Sequence, residues 1–258
     1  MLTVEMTEHL LGYRIYGDYD ALDKLYDAIF ELSDVNDDTS LPEAEYNMRT
    51  RMLALCYDLR HAYQGDRGVK MIDNGMNEEM ASWKGVEVSS YKNLIYYVEI
   101  LYPEAMYEVI GLNWLIQQRW GKLLGKALSS SDRAEDPKVI FDPACAQARL
   151  YQSLVMEALR AKATPTTFSR IRKQVAEQYY TVGAMYTQWL DILNGEWTNM
   201  TVKQREKGLG TMVRDLTDYH GHFQYAEVVA DIDRFAIELN TRRGDVPLKI
   251  YYAENCDW

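Results

Sequence analysis

Residues 58 to 67 read Asp-Leu-Arg-His-Ala-Tyr-Gln-Gly-Asp-Arg and form the densest run of chemically capable side chains in this 258-residue chain. Asp58 and His61 stand three apart, a spacing that makes them neighbours on a helix surface. A carboxylate beside an imidazole could move protons, while Arg60, Gln64 or Arg67 could orient an anionic substrate. The end of a helix also favours a protonated imidazole. No pocket can be read from the residues, and a lone histidine is most simply a satisfied surface group. Asp58, His61, Gln64 and Arg67 are therefore candidate binding residues, with a His61/Asp58 acid–base pair as the enzymatic alternative.

Two arginines on the same segment pose a different problem. The apolar face of the expected helix holds Met52, Leu53, Cys56 and Tyr63. At 100° per residue, Arg49 and Arg60 fall in the middle of that face. A guanidinium cannot shed its charge on burial, so it must meet a carboxylate or reach water. Glu99, alone in the apolar run Asn93 to Leu101, is the obvious partner. The pattern predicts an Arg49–Glu99 or Arg60–Glu99 pair, a tie between helix and sheet rather than a ligand clamp. Glu99→Gln would then leave an arginine unpaired and cost well beyond the half kcal/mol or so of an ordinary surface change.

Metal-ligand spacing is weak. His220 and His222, with Asp215 and Asp218 upstream, could hold an ion if that segment is extended, but histidine and glycine between two helices serve equally well as caps and turn residues. Asp34 to Glu45 resembles a calcium loop in its oxygen ligands at positions 1, 3, 5 and 12. Thr39 stands where the tight turn needs glycine, and Pro42 takes position 9, so the segment reads better as the capping loop of the next helix. No phosphate loop, dinucleotide fingerprint, GxSxG elbow or HExxH is present.

Charge is unevenly spread. The formal net charge is −11, and ten acidic residues lie between Gly17 and Tyr46 against Lys24 alone. Asp20, Asp23, Asp27, Glu31 and Asp34 run down one side of the first helix. That stripe is either a solvated face or a docking surface, for a basic protein partner or for this chain's own bases at 160–173. Overall acidity argues against nucleic acid, whose binding needs cationic side chains to displace counterions. The basic clusters Arg160, Lys162, Arg170, Arg172, Lys173 and Lys203, Arg205, Lys207 lack interleaved aromatics. With 47% apolar and 26% charged residues the composition is globular. No apolar run reaches the length of a membrane span. The N-terminus has no secretory pattern, and three scattered cysteines suit a reducing cytoplasm. Tyrosine outnumbers phenylalanine 20 to 5, which predicts many rings at half-buried boundaries with their hydroxyls wet.

These residues must be positioned by regular elements. Thr3 to Met6 and Gly12 to Tyr16 read as strands around a turn. Asp18 or Asp20 caps a helix with the stripe Leu22, Leu25, Ile29, Leu32. Ser40-Leu41-Pro42-Glu43 opens a second helix to about Tyr63. Val69 to Ile72 is a strand, Asn77 to Trp83 a short helix, and Asn93 to Leu101 a central strand covered on both sides. Helices follow from Pro103 to about Leu128, from Asp142-Pro143 to Lys162 after a Ser129–Phe141 loop, and from Thr164-Pro165 to Asn194 with Gly195 as its stop. Thr201 to Leu216 and Tyr225 to Leu239 complete the helices, and Leu248 to Tyr252 could return as a strand. The expectation is an α+β fold, helix-rich overall, in which a small, mainly antiparallel sheet from the N-terminal third packs with a bundle of long helices. Residues 1–258 should form one integrated domain, with a sheet part at 1–102, a helical part at 103–240 and a tail at 241–258.

The segment Cys56-Tyr57-Asp58-Leu59-Arg60-His61-Ala62-Tyr63-Gln64-Gly65-Asp66-Arg67, followed by Asp73-Asn74-Gly75, resembles an uncharacterised bacterial family of about this length, a domain of unknown function. The resemblance implies a bacterial cytoplasmic protein and no particular reaction or cofactor. On the residues alone, a binding or protein-interaction module fits better than an enzyme, because no catalytic constellation has specific spacing.

Overall fold

Period-two alternation sets the sheet. A computed structural model describes residues 1–34, 41–84, 90–125, 140–178, 181–254 and 256–258. Strands β1 (Thr3–Met6), β2 (Gly12–Gly17), β3 (Gly68–Asp73) and β4 (Lys92–Leu101) pair antiparallel in the order β1-β2-β4-β3. Tyr13 and Ile15 of β2 face Ile100 and Val98 of β4, and all four are buried. Their neighbours Arg14, Tyr16, Tyr97 and Glu99 share the opposite face. β4 is an inner strand, as expected, but residues 92–94 are exposed, so it is not covered along its whole length.

The turn between β1 and β2 is itself buried, which requires partners for its backbone. Trp197 Nε1 donates to the carbonyls of Leu10 and Leu11 at 3.1 and 2.9 Å. Arg205 Nη1 donates to His9 O at 3.1 Å. Residues almost two hundred positions away thus hold the first hairpin.

Nine α-helices are seen among the described residues. They are α1 (Tyr19–Ser33), α2 (Glu43–Tyr63), α3 (Glu78–Lys84), α4 (Tyr102–Leu124), α5 (Pro143–Lys162), α6 (Pro165–Glu177), α7 (Thr187–Asn199), α8 (Val202–Thr217) and α9 (Phe223–Leu239). Asp18, Asp142, Thr164 and Thr201 cap their helices with side-chain oxygens. Together the sheet and helices give the expected α+β, helix-rich architecture. The calcium-loop reading rests on residues 35–40 and the serine-rich loop on 126–139, both outside the described residues. So does Ser40, and α2 begins after Pro42 with no side-chain cap.

Three expectations need correction. The helix from Pro165 to Asn194 is two helices, α6 and α7, separated by a 3-10 turn at Thr181–Ala184. Thr181-Val182-Gly183 is a poor helix-forming run, and Ile171, Val175, Val182, Trp189 and Leu193 are buried on either side of the break. The stripe therefore kept its period while the axis changed. Gly195 does not stop a helix but lies inside α7. A Cβ there would sit 2.7 Å from Ile250 Cγ2 and 3.2 Å from Tyr251 O, because residues 248–252 cross the helix at that point. That tail is irregular, not a strand. Asn199 Nδ2 donates to Tyr251 O and the Ala253 amide to Thr198 Oγ1, so helix side chains satisfy the backbone that a sheet would have paired.

The tyrosines divide differently too. Tyr13, Tyr102, Tyr107, Tyr151 and Tyr219 have no solvent exposure. Tyr102 and Tyr219 donate to Leu209 O and Thr181 O, so these hydroxyls tie helices together rather than meet water.

A Cβ on Gly12 would lie 1.9 Å from the Ile100 carbonyl oxygen of the neighbouring strand. Backbone in a sheet cannot yield, whereas the tail against Gly195 can shift. We expect Gly12→Ala to cost about 3 kcal/mol or more and Gly195→Ala about 1 kcal/mol. Urea denaturation would check this, and equal losses would contradict the assignment.

Candidate functional site

The chemically rich run at 58–67 closes α2 and opens into two separate surface contacts. Arg67 Nη2 donates to Asp58 Oδ1 at 2.8 Å, and His61 Nδ1 lies 3.1 Å from Asp66 Oδ2. The His61 ring also packs on Tyr57, with centroids 4.2 Å apart. Each expected member of an acid–base pair thus has its own partner, so Asp58 and His61 do not form a dyad. Gln64 is exposed and contributes its backbone N–H to Arg60 O as the helix ends.

The expected Arg49/Arg60–Glu99 pair is replaced by other contacts. Glu99 accepts from Arg14 Nε at 2.7 Å, its direct cross-strand neighbour. Arg49 is buried as expected, but it donates to Ser33 O at the end of α1 and to Glu45, beneath the Trp114 ring. A cation at a helix C-terminus meets the negative end of the dipole. Arg60 is exposed, over Tyr57. The buried face of α2 is Met48, Met52, Leu55, Cys56, Leu59 and Ala62, rotated from the expected one by roughly a sixth of a turn at 100° per residue. Leu53 drew the expectation one way, and Leu55 and Leu59 decide it the other way.

His220 and His222 sit at the 3-10 turn Tyr219–Gly221 and the start of α9. Their rings pack on Tyr219 and Trp189. Among the described residues no group of three or more His, Cys, Asp or Glu side chains could hold a metal. At its C-terminal end the acidic stripe of α1 meets α4: Glu31 pairs with Arg119 at 2.5 Å and Asp34 with Lys122.

What the structure does assemble lies just beyond Asp58. A cleft of about 260 Å³ opens between α2, β4, α4, α7 and the tail, with Arg51, Asp58, Glu99, Glu104, Glu108 and Asn194 among its lining residues. Arg51 is the hub. It reaches Glu104 through two bonds of 2.7 and 2.6 Å and Asp191 at 2.8 Å. Burial works against its charge, and the two carboxylates outweigh it, so the guanidinium stays ionised. Asn194 Nδ2 donates to Glu104 Oε2 at 2.7 Å. Its buried Oδ1 has no donor among the described residues. Glu108, 2% exposed, accepts from the Tyr151 hydroxyl at 2.7 Å. Burial first, then the nearby Glu104 carboxylate, hold its carboxyl well above the ordinary range. The thiols of Cys56 and Cys145 are pushed up to about 12, chiefly by burial, which makes both poor nucleophiles. None of the four residues Arg51, Glu104, Glu108 and Asn194 emerged from the sequence as a site. The available signal was Glu104 and Glu108, four apart, in a helix otherwise apolar over that stretch.

Two substitutions rank these carboxylates. Glu104→Gln leaves the largely buried Arg51 without its main partner and should cost about 3 kcal/mol. Glu99→Gln breaks a half-exposed pair and should cost about 1 kcal/mol or less. The opposite ranking in thermal melts would refute the hub. Glu108 adds a pH test. Its unfolded value is near 4.5, so above that pH the folded state keeps a proton that the unfolded state releases. Stability supplied by Glu108 therefore falls as pH rises, and Arg51, Glu104, Asp58 and Tyr151 are the groups that modulate it. Glu108→Gln should gain on the unsubstituted protein as pH rises above about 4.5. A constant difference would mean that Glu108 is ionised throughout.

No curated protein and no solved structure matches the chain. Among the described residues no helix is long and apolar enough to cross a membrane. One family model matches residues 2–258, essentially the whole chain, and it describes a domain of unknown function, as the resemblance implied. The protein belongs to the family described as a domain of unknown function, DUF6904.

Proposed function

We propose that this chain is a binding module whose cleft between α2, β4, α4 and α7 takes a small organic cation, an amine or a guanidinium. The observation that carries the reading is Asn194 Oδ1, a buried acceptor on a cleft residue with no donor among the described residues. A buried polar atom without a partner costs free energy that a ligand's N–H would recover. Among the described lining residues Asp58, Glu99, Glu104 and Glu108 are acidic and Arg51 is the one cation. Each acid already accepts from a partner, Arg67, Arg14, Arg51 or Tyr151 in turn, and the wall is rich in acceptor oxygens. A volume of about 260 Å³ suits a small ligand.

This reading uses Asp58 of the original candidates as a rim residue and leaves His61, Gln64 and Arg67 as its outer surroundings. It is preferred to catalysis by Asp58 and His61, since each is engaged with its own partner. A basic protein partner for α1 fits less well, because Glu31 and Asp34 already meet Arg119 and Lys122. The chain is read as one unit of 258 residues, supported by a buried apolar cluster that extends from Leu2 to Val246. A bacterial, cytoplasmic setting is part of the same reading, supported by three free cysteines.

Titration calorimetry with agmatine, using acetamide as the neutral control, tests it. Agmatine should bind and acetamide should not, and Asn194→Leu should weaken agmatine about tenfold, the loss of one hydrogen bond to a charged group. Absence of heat at millimolar agmatine would end the proposal. So would unchanged affinity in a folded Asn194→Leu protein.

A further inference from the structure

On the far side of α4 the chain builds a second cavity of opposite character, about 460 Å³ in volume, between α4, α5 and α6. We propose that it is a binding site for a small organic anion, a carboxylate or phosphate attached to a flat apolar body. Among the described residues its polar lining is Asn113, Gln117, Arg149, Gln152, Ser153 and Arg172, with no carboxylate. A more open groove continues from it, shares Arg172 and adds Arg170, with Lys173 at its edge paired to Glu177. On a chain of net charge −11, the charged side chains among the described residues of this wall are all cationic, a local contrast with the acidity of the whole.

Two further observations specify the ligand. Arg170 and Arg172 are exposed and form no ion pair with any described residue, so their charge is available. Trp120 forms one wall, with the Arg149 guanidinium 5.8 Å from its ring centroid. Its Nε1–H is out of solvent contact and finds no acceptor among the described residues. An indole N–H is a donor only, so the partner it lacks is an acceptor. Val109, Met156 and Val175 supply an apolar floor beside it. Cations, an unsatisfied donor and an aromatic wall together select an anionic head on a planar body. The volume lies within the usual range of small-molecule sites, and the overall acidity disfavours a polyanion.

The test follows the Trp120 indole N–H by two-dimensional NMR on the full chain, its signal identified by loss in Trp120→Phe. The probes are 2-naphthoate and adenosine monophosphate, which separate a carboxylate from a phosphate head. Neutral 2-naphthamide and inorganic phosphate serve as controls. Either organic anion should move the signal, and both controls should leave it in place. Arg172→Gln, which removes an exposed and unpaired cation without disturbing packing, should weaken the anion about tenfold, the scale of one charge-assisted contact. The proposal is overturned if neither anion moves the signal at millimolar concentration, if 2-naphthamide binds as well as 2-naphthoate, or if Arg172→Gln binds unchanged. Because this site shares no lining residue with the acidic cleft, failure of one leaves the other standing.

Discussion

Arg51 cannot give up its charge, and the helices that surround it cannot close without burying it. That constraint organises the middle of the molecule. Glu104 from α4 and Asp191 from α7 both turn toward one guanidinium, and the bidentate geometry fixes their approach as well as their charge. Glu104 then holds Asn194, and its negative charge helps keep Glu108 protonated. A buried ion pair is a poor source of net stability compared with apolar packing of the same volume. What it does here is tie α2, α4 and α7 together at one point, beside a cleft lined with acceptors.

The same logic recurs at lower stakes around the fold. Arg49 closes the end of α1, Arg119 joins α1 to the cap of α5, and Arg205 with Trp197 clasps the first hairpin. In each case a planar cation or an indole donor spans elements far apart in sequence and satisfies a carbonyl or carboxylate that burial would otherwise orphan. Tyr102 and Tyr219 do likewise with their hydroxyls. The abundance of tyrosine over phenylalanine is thus explained in part by hydrogen bonds between helices. The two cavities lie on either side of α4, with acidic side chains among the described lining of one and arginines in that of the other.

Much of the architecture was legible in the residues because its causes are local. Alternation gave the strands, and Asp18, Asp142, Thr164 and Thr201 gave helix starts, since a capping oxygen acts within three residues of itself. The Phe168–Leu193 stripe misled for the same reason: period alone cannot report a change of axis when the break preserves the phase. Gly195 misled because a close approach by a distant segment and a helix stop call for the same residue type. The charged candidates divided along that line as well. Asp58, His61 and Arg67 pair with near neighbours in sequence or fold, whereas Glu99 found Arg14 through strand register, which no count along α2 could reveal.

The amino-acid sequence by itself determined the α+β class, most element boundaries and the acidity of the first helix, because each depends on nearby residues or composition. Tertiary structure alone decided which charges meet. Arg51, Glu104, Asp191 and Asn194 come from three helices and converge only when those helices pack. Likewise the basic cluster at 170–173 carries no aromatic in sequence, and the fold supplies Trp120 from α4 beside Arg172. Electrostatic and hydrogen-bond partners are chosen by distances in space, and those distances exist only after the core has formed.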